Sequence, residues 1–109
     1  MRREPRTGKA PAASRRKEDL YVLRLYVAGL TSRSRSAIAN ITSICEEHLH
    51  GRYDLQVIDV FQRPILAREE QIVATPTLVK KLPMPLRRLI GDLSEKEKVL
   101  VGLDLSRIG

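Results

Sequence analysis

The 109-residue chain has one cysteine, no tryptophan and only four aromatic side chains, Tyr21, Tyr26, Tyr53 and Phe61. A single cysteine closes no internal disulfide, so side-chain packing must hold the fold, and such sparing use of cysteine fits a reducing compartment. The longest apolar run, six residues at 25–30, falls far short of the roughly 20 that cross a bilayer. The first nineteen residues, MRREPRTGKAPAASRRKED, are basic but lack the apolar stretch of about 7–15 residues that marks a secretory signal. A cytoplasmic protein without a membrane span is therefore expected.

Missing motifs exclude several chemistries. No GxxxxGK[ST] loop is present to cradle a phosphate, which removes the usual NTPase signature, and no GxSxG turn presents a serine nucleophile. Cys45 has no CxxC partner and falls late in an expected helix, whereas a reactive thiolate prefers a helix N-terminus, so it reads as a buried structural cysteine. Cys45, His48 and His50, beside Glu46 and Glu47, form the only metal-like cluster in the sequence. A structural zinc needs four ligands and usually a second pair at similar spacing, so these residues read as a helix end that binds nothing. No catalytic site, cofactor or metal is expected.

What the chain does have is positive charge, 20 basic against 13 acidic residues for a net +7. Residues 1–19 hold Arg2, Arg3, Arg6, Lys9, Arg15, Arg16 and Lys17 against Glu4, Glu18 and Asp19. With Pro5, Gly8 and Pro11 and no large apolar side chain after Met1, this segment cannot bury enough surface to order itself. It is expected to be a flexible basic N-terminal arm ahead of one folded domain at 20–109. Such an arm attracts nucleic acid or acidic surfaces over a range that salt screens, but its simplest role is solubilising.

In the folded part, LYVLRLYV at 20–27 is almost continuously apolar, as a central strand covered on both faces reads. Ala37, Ile38, Ile41, Ile44, Cys45 and Leu49 then recur at helical spacing, with Thr31, Ser32 or Ser34 placed to cap the start and Gly51 placed just past the end. YDLQVIDVF at 53–61 reads as a second strand with Leu55 and Val57 on one face. Strand, helix and strand at this spacing imply a right-handed parallel crossover and an α/β domain. The folded part offers the basic pairs Lys80-Lys81 and Arg87-Arg88, but all four aromatic residues fall in these strands, which favours core or sheet-face packing over base stacking and leaves nucleic-acid binding the weaker reading.

The second half carries two periods at once. LRRLIGDL at 86–93 presents Leu86, Leu89, Ile90 and Leu93 at helical spacing, yet Gly91 weakens a helix and Leu89-Ile90 suits a strand. Ser94-Glu95-Lys96-Glu97 reads as a capping box opening a helix through Val99, Leu100 and Leu103. The same stretch alternates at Val99, Val101, Leu103 and Leu105, the period of a strand. A segment balanced between two periods is either marginal or able to adopt two packings. Pro76, entering a strand at Ala74-Thr75-Pro76-Thr77-Leu78, is placed where a cis bond is accommodated.

Four blocks carry a resemblance: LYVAG at 25–29, GRYDLQVIDV at 51–60, ATPTLVKKLP at 74–83 and RRLIGDLSEKEKVLVGLDL at 87–105. In this order they resemble the circadian-clock family KaiB, over about residues 20–105. The resemblance implies a non-enzymatic regulator, related to thioredoxin, that binds the hexameric RecA-type ATPase KaiC and modulates its phosphorylation and ATPase cycle. KaiA-like or SasA-like clock partners are implied with it.

It further implies two folds. One is a thioredoxin-like monomer, βαβαββα, with a helix over 65–71, strands over 77–81 and 86–90, a helix over 95–106, and Pro76 at the cis-proline position. The other is a ground state, βαββααβ, assembled as a dimer or tetramer, in which 86–93 is helical and 99–105 is a strand. Pro76, Gly102 and Asp104 are the implied fold-switch residues, since replacements at the last two positions bias the family toward the switched fold.

The implied partner-binding positions are Arg33, Arg35, Ser36, Gln56 and Gln71. Clock members carry basic residues at three of these, where this chain has Ser36, Gln56 and Gln71, and its arginines lie just upstream at Arg33 and Arg35. With the longer basic arm, these departures suit a homologue acting in a simpler timer or in stress adaptation, with or without KaiC binding. A thioredoxin-class redox enzyme is a weaker reading, because the turn Gly29-Leu30-Thr31-Ser32-Arg33-Ser34 holds no cysteine.

Overall fold

A computed structural model describes residues 20–105. The basic arm at 1–19 and residues 106–109, including the expected last helical residue Ser106, lie outside the described residues. The chain runs β1 (Tyr21–Val27), α1 (Ser32–His48), β2 (Tyr53–Asp59), α2 (Pro64–Glu69), β3 (Thr77–Leu82), β4 (Arg87–Ile90) and α3 (Lys96–Gly102). This is the βαβαββα order expected of the thioredoxin-like arrangement.

The sheet order is β2-β1-β3-β4, with β1 parallel to β2 and antiparallel to β3, and β3 antiparallel to β4. The near-continuous apolar character of β1 has its cause in this central position. Tyr21, Leu23, Leu25 and Val27 face the larger core, which α1 supplies with Ala37, Ile41, Ile44, Cys45 and Leu49 and α3 with Val99 and Leu100. On the opposite face Tyr26 joins Ile58 and Val79 in a smaller core closed by Leu66, Ala67 and Ile72. Burying one leucine-sized side chain this way contributes roughly 1.5–3 kcal/mol, so the larger core dominates stability.

Local signals set the element ends. Thr31 is the N-cap of α1: its Oγ1 accepts from the Ser34 backbone N–H at 3.1 Å, and Gly51 turns the chain beyond the helix at φ +76, a value that suits glycine. Asp59 closes the first unit, its Oδ1 accepting from the Phe61 backbone N–H at 2.9 Å. Among the described residues, no helix is long and apolar enough to cross a membrane.

In β2, an edge strand, Leu55 and Val57 share one face, and Ile58 lies on the other, where α2 buries it. Several expected details differ. Phe61 lies past the end of β2 and is 75% exposed, so it is neither a strand residue nor a core aromatic. Helix α2 begins at Pro64, whose missing N–H is harmless in a first turn, and ends at Glu69, with Gln71 at φ +59 beyond it. The capping box at Ser94 does not form. The Ser94 backbone N–H donates to Asp92 Oδ1 at 3.1 Å, Glu95 becomes the N-cap, and α3 stops at Gly102.

Candidate functional site

Two polar clusters tie the elements of the second half of the chain to one another, one on each face of the sheet. On the α3 side, Lys80 follows Leu78 with the period of two, so its side chain enters the face that carries the main core. It is 1% exposed. A buried ammonium needs a counter-charge, and Asp104 provides it, Nζ to Oδ2 at 2.7 Å. Arg87, opposite Lys80 in the β3–β4 ladder, donates to both oxygens of Asp104 at 3.2 Å. The ring of Tyr21 lies 5.9 Å from Lys80 Nζ, and its hydroxyl donates to the Leu103 carbonyl at 3.3 Å.

Two cations on one carboxylate, Lys80 foremost, hold the Asp104 carboxyl below its ordinary range. Asp104 sits in the left-handed region at φ +62, just after α3, where aspartate is tolerated better than most side chains. Two residues earlier, a Cβ on Gly102 would stand 2.4 Å from Leu89 Cδ2, so α3 lies on β4 at a distance that only glycine allows without displacing Leu89. Gly102 and Asp104, two positions apart, therefore both lie at one seam between α3 and the β3–β4 hairpin.

On the α2 side, Glu70 takes both Lys81, at 2.7 Å, and Arg88, at 3.6 Å, and the Arg88 guanidinium also donates to the Glu70 carbonyl at 2.6 Å. Glu70 is mostly buried, its side chain 13% exposed. Tyr26 beside this cluster has its hydroxyl pKa raised, chiefly by burial and then by Glu70. A third fastening joins α1 to the loop after β4, where Asn40 Nδ2 donates to the Asp92 carbonyl at 2.9 Å.

The five implied partner-binding positions do not form one patch. Arg33, Arg35 and Ser36 are exposed at the start of α1, whereas Gln56, on β2, and Gln71, after α2, are exposed on the opposite side of the sheet. Pro76 is buried at the start of β3, with the Thr75–Pro76 bond cis. The metal-like cluster does not converge: Cys45 faces the core while Glu46 engages Tyr53 and His50, and Glu47 engages Lys96. Burial and then Glu46 push the Cys45 thiol up to about 12, which leaves no thiolate near neutral pH.

Glu70 escaped the sequence reading, and Lys80 and Arg87 stood out there only within the basic pairs Lys80-Lys81 and Arg87-Arg88. The signal was present for Lys80, because a strand that turns Leu78 inward also turns Lys80 inward. Its partner was not legible, since Asp104 lies 24 positions further on, beyond a hairpin and a helix.

Residues 24–105 match the KaiB domain. The chain belongs to the KaiB family. It is 56% identical over 84 residues to the circadian clock protein KaiB3 of Synechocystis sp., covering 77% of this chain and 82% of that one. Among solved structures, this KaiB-family chain resembles the N-terminal domain of Synechococcus elongatus SasA, with TM-score 0.66 and 25% identity over 97% of each chain. It also shares its fold with the Drosophila thioredoxin Deadhead, with TM-score 0.62 and 15% identity over 78% of this chain and 81% of that one. The fold is thioredoxin-like, and the redox site of thioredoxins has no cysteine to occupy it in the turn after β1.

Proposed function

We propose that this KaiB-family chain is a cytoplasmic, non-enzymatic regulator that docks on a hexameric KaiC-like ATPase and modulates its phosphorylation and ATPase cycle in a clock or clock-like timer. The observation that carries this reading is the joint one of KaiB identity across the domain and a thioredoxin-like arrangement similar to that of the SasA domain. The buried Cys45 and its raised pKa argue against thiol chemistry.

Pro76, Gly102 and Asp104 are proposed as the residues that set the balance between this fold and an oligomeric ground state, with KaiA-like or SasA-like proteins as further partners. Support comes from the seam itself, because Gly102 and Asp104 meet its two most specific demands, close approach and a counter-charge. Replacing either one weakens the arrangement seen here. A replacement therefore populates this fold only where it costs the alternative arrangement more.

The test is co-elution on a sizing column with the KaiC-like ATPase of the same organism, in ATP and in ADP, after incubation from minutes to a day. A nucleotide-dependent complex is expected. If the folded protein forms none under either nucleotide, docking on the ATPase is wrong and the stress-adaptation role, suggested by Ser36, Gln56 and Gln71, takes its place.

A further inference from the structure

Three strand residues on the α2 side of the sheet are cations: Arg24 in the middle of β1, Lys81 on β3 and Arg88 on β4. Two are matched, since Lys81 and Arg88 share Glu70. Arg24 is not. No carboxylate of the described residues pairs with it, and its Nε is sealed from solvent with no acceptor. Its ladder neighbours are Gln56 on β2 and Val79 on β3, one neutral and one apolar. Asp54, exposed on the same face of β2, makes no ion pair with it.

The setting explains why this arginine is held in place rather than free in solvent. Helix α2 covers the end of the face where Tyr26, Ile58 and Val79 are buried, and Arg24 stands two residues before Tyr26, half-buried at the margin of that cover. The enclosed Nε restrains the side chain, and a guanidinium so restrained loses little freedom on binding. Its two terminal nitrogens, which are not among the enclosed unpartnered atoms, suit a planar anion able to accept two parallel hydrogen bonds.

We infer that Arg24 anchors an acidic side chain of a partner protein laid across the α2-side face of β1 and β2. A carboxylate fits better than a nucleic-acid backbone. Successive phosphates need a row of free cations, and here Lys81 and Arg88 are already neutralised while Asp54 repels. The inference deepens the proposed docking function and rests on it for the identity of the partner, but not for the chemistry of the site.

Two measurements separate these. The first compares the unmodified chain with Arg24→Gln and Arg24→Lys for affinity to the KaiC-like ATPase. Arg24→Gln is expected to weaken binding about tenfold or more, with Arg24→Lys intermediate and both variants melting as cooperatively as the parent. The second titrates the unmodified chain with a ten-residue polyglutamate peptide and, separately, with oligothymidylate, following the Arg24 Nε–Hε resonance. A shift with polyglutamate and not with oligothymidylate is expected.

If the parent binds the ATPase and Arg24→Gln binds equally well, the anchor is overturned and the docking function stands. If the parent fails to bind but polyglutamate shifts the Arg24 resonance, the anchor stands and the ATPase is the wrong partner. A resonance that ignores polyglutamate, or that answers oligothymidylate more strongly, overturns the acidic-partner chemistry.

Discussion

The two halves of this small domain are held by different means. Residues 21–58, with β1, α1 and β2, supply eleven of the seventeen buried apolar side chains among the described residues, and α1 rests on the sheet through Ala37, Ile41, Ile44, Cys45 and Leu49. Residues 64–105 supply six and are fastened by Lys80–Asp104–Arg87, by Glu70 with Lys81 and Arg88, and by Asn40 with the Asp92 carbonyl. Apolar burial is spread over many contacts and tolerates small shifts. A few charged fastenings fail one at a time, and they answer to pH and salt.

The largest expected effect breaks the first half. Ile41 is fully buried between α1 and β1, so Ile41→Ala should lower global stability by about 2–5 kcal/mol, as truncation of a core isoleucine does. Urea melts followed by circular dichroism check this, and a loss below 1 kcal/mol would show that the first half is not the dominant core. Next is Asp104→Asn, which keeps the left-handed backbone preference and removes the charge. It leaves Lys80 buried and unpaired and should cost roughly 2 kcal/mol, less than the ~3–5 of a fully enclosed pair because Asp104 is a third exposed. Hydrogen exchange should accelerate in β4 and α3 while α1 stays protected. Equal acceleration in α1 would show that the halves do not separate.

Gly102→Ala has a smaller net effect. The new methyl must displace Leu89, at about 1–3 kcal/mol, offset by about 1 kcal/mol of helix propensity at the end of α3. A loss near 1 kcal/mol is expected, and Leu89→Ala in the same chain should make the Gly102→Ala increment vanish or change sign in a double-mutant cycle. Sedimentation of the same variant reads the fold balance: more monomer would mean that the alternative arrangement loses more than this one.

Acid should act on the same seam. Asp104 titrates below its unfolded value of about 4, so the carboxylate's contribution is complete above that value. It fades as pH falls through the lower folded value. Loss of α3 protection below pH 4, absent in Asp104→Asn, is the expected signature.

Smallest of all is Lys80→Met. It removes the buried charge along with its need for a partner, fills similar volume, and leaves Asp104 to Arg87. A change within about 1 kcal/mol in either direction is expected in thermal melts. A loss as large as that of Asp104→Asn would mean that the ammonium contributes through more than its ion pair.

The contrast between the halves also sets how much of the structure could be read from residues alone. The first half has one period per segment: β1 is apolar throughout, α1 repeats every three to four residues from Ala37 to Leu49, and both elements form as read. The error there sits where tertiary context decides, with Phe61 expelled by the turn after Asp59. In the second half the elements are four to seven residues long, too short for a period to be decisive, and 99–105 fits strand and helix alike. Family resemblance, not periodicity, supplied the two candidate arrangements, of which the thioredoxin-like one is found. Of the candidate site, Gly102 and Asp104 were named through that resemblance, while their partners Leu89, Lys80 and Arg87 became visible only when the hairpin and α3 were brought together.

The bond from the Tyr21 hydroxyl to the Leu103 carbonyl joins positions 82 residues apart. Closing so long a loop in an unfolded chain carries an entropic penalty of about 4 kcal/mol, more than one hydrogen bond returns. The contact therefore cannot start folding. It forms after the pairing of β1 with β3 has shortened the effective loop, and it is among the first to open when that pairing loosens. In the order of assembly, the first strand of the chain and its last helix meet late and part early.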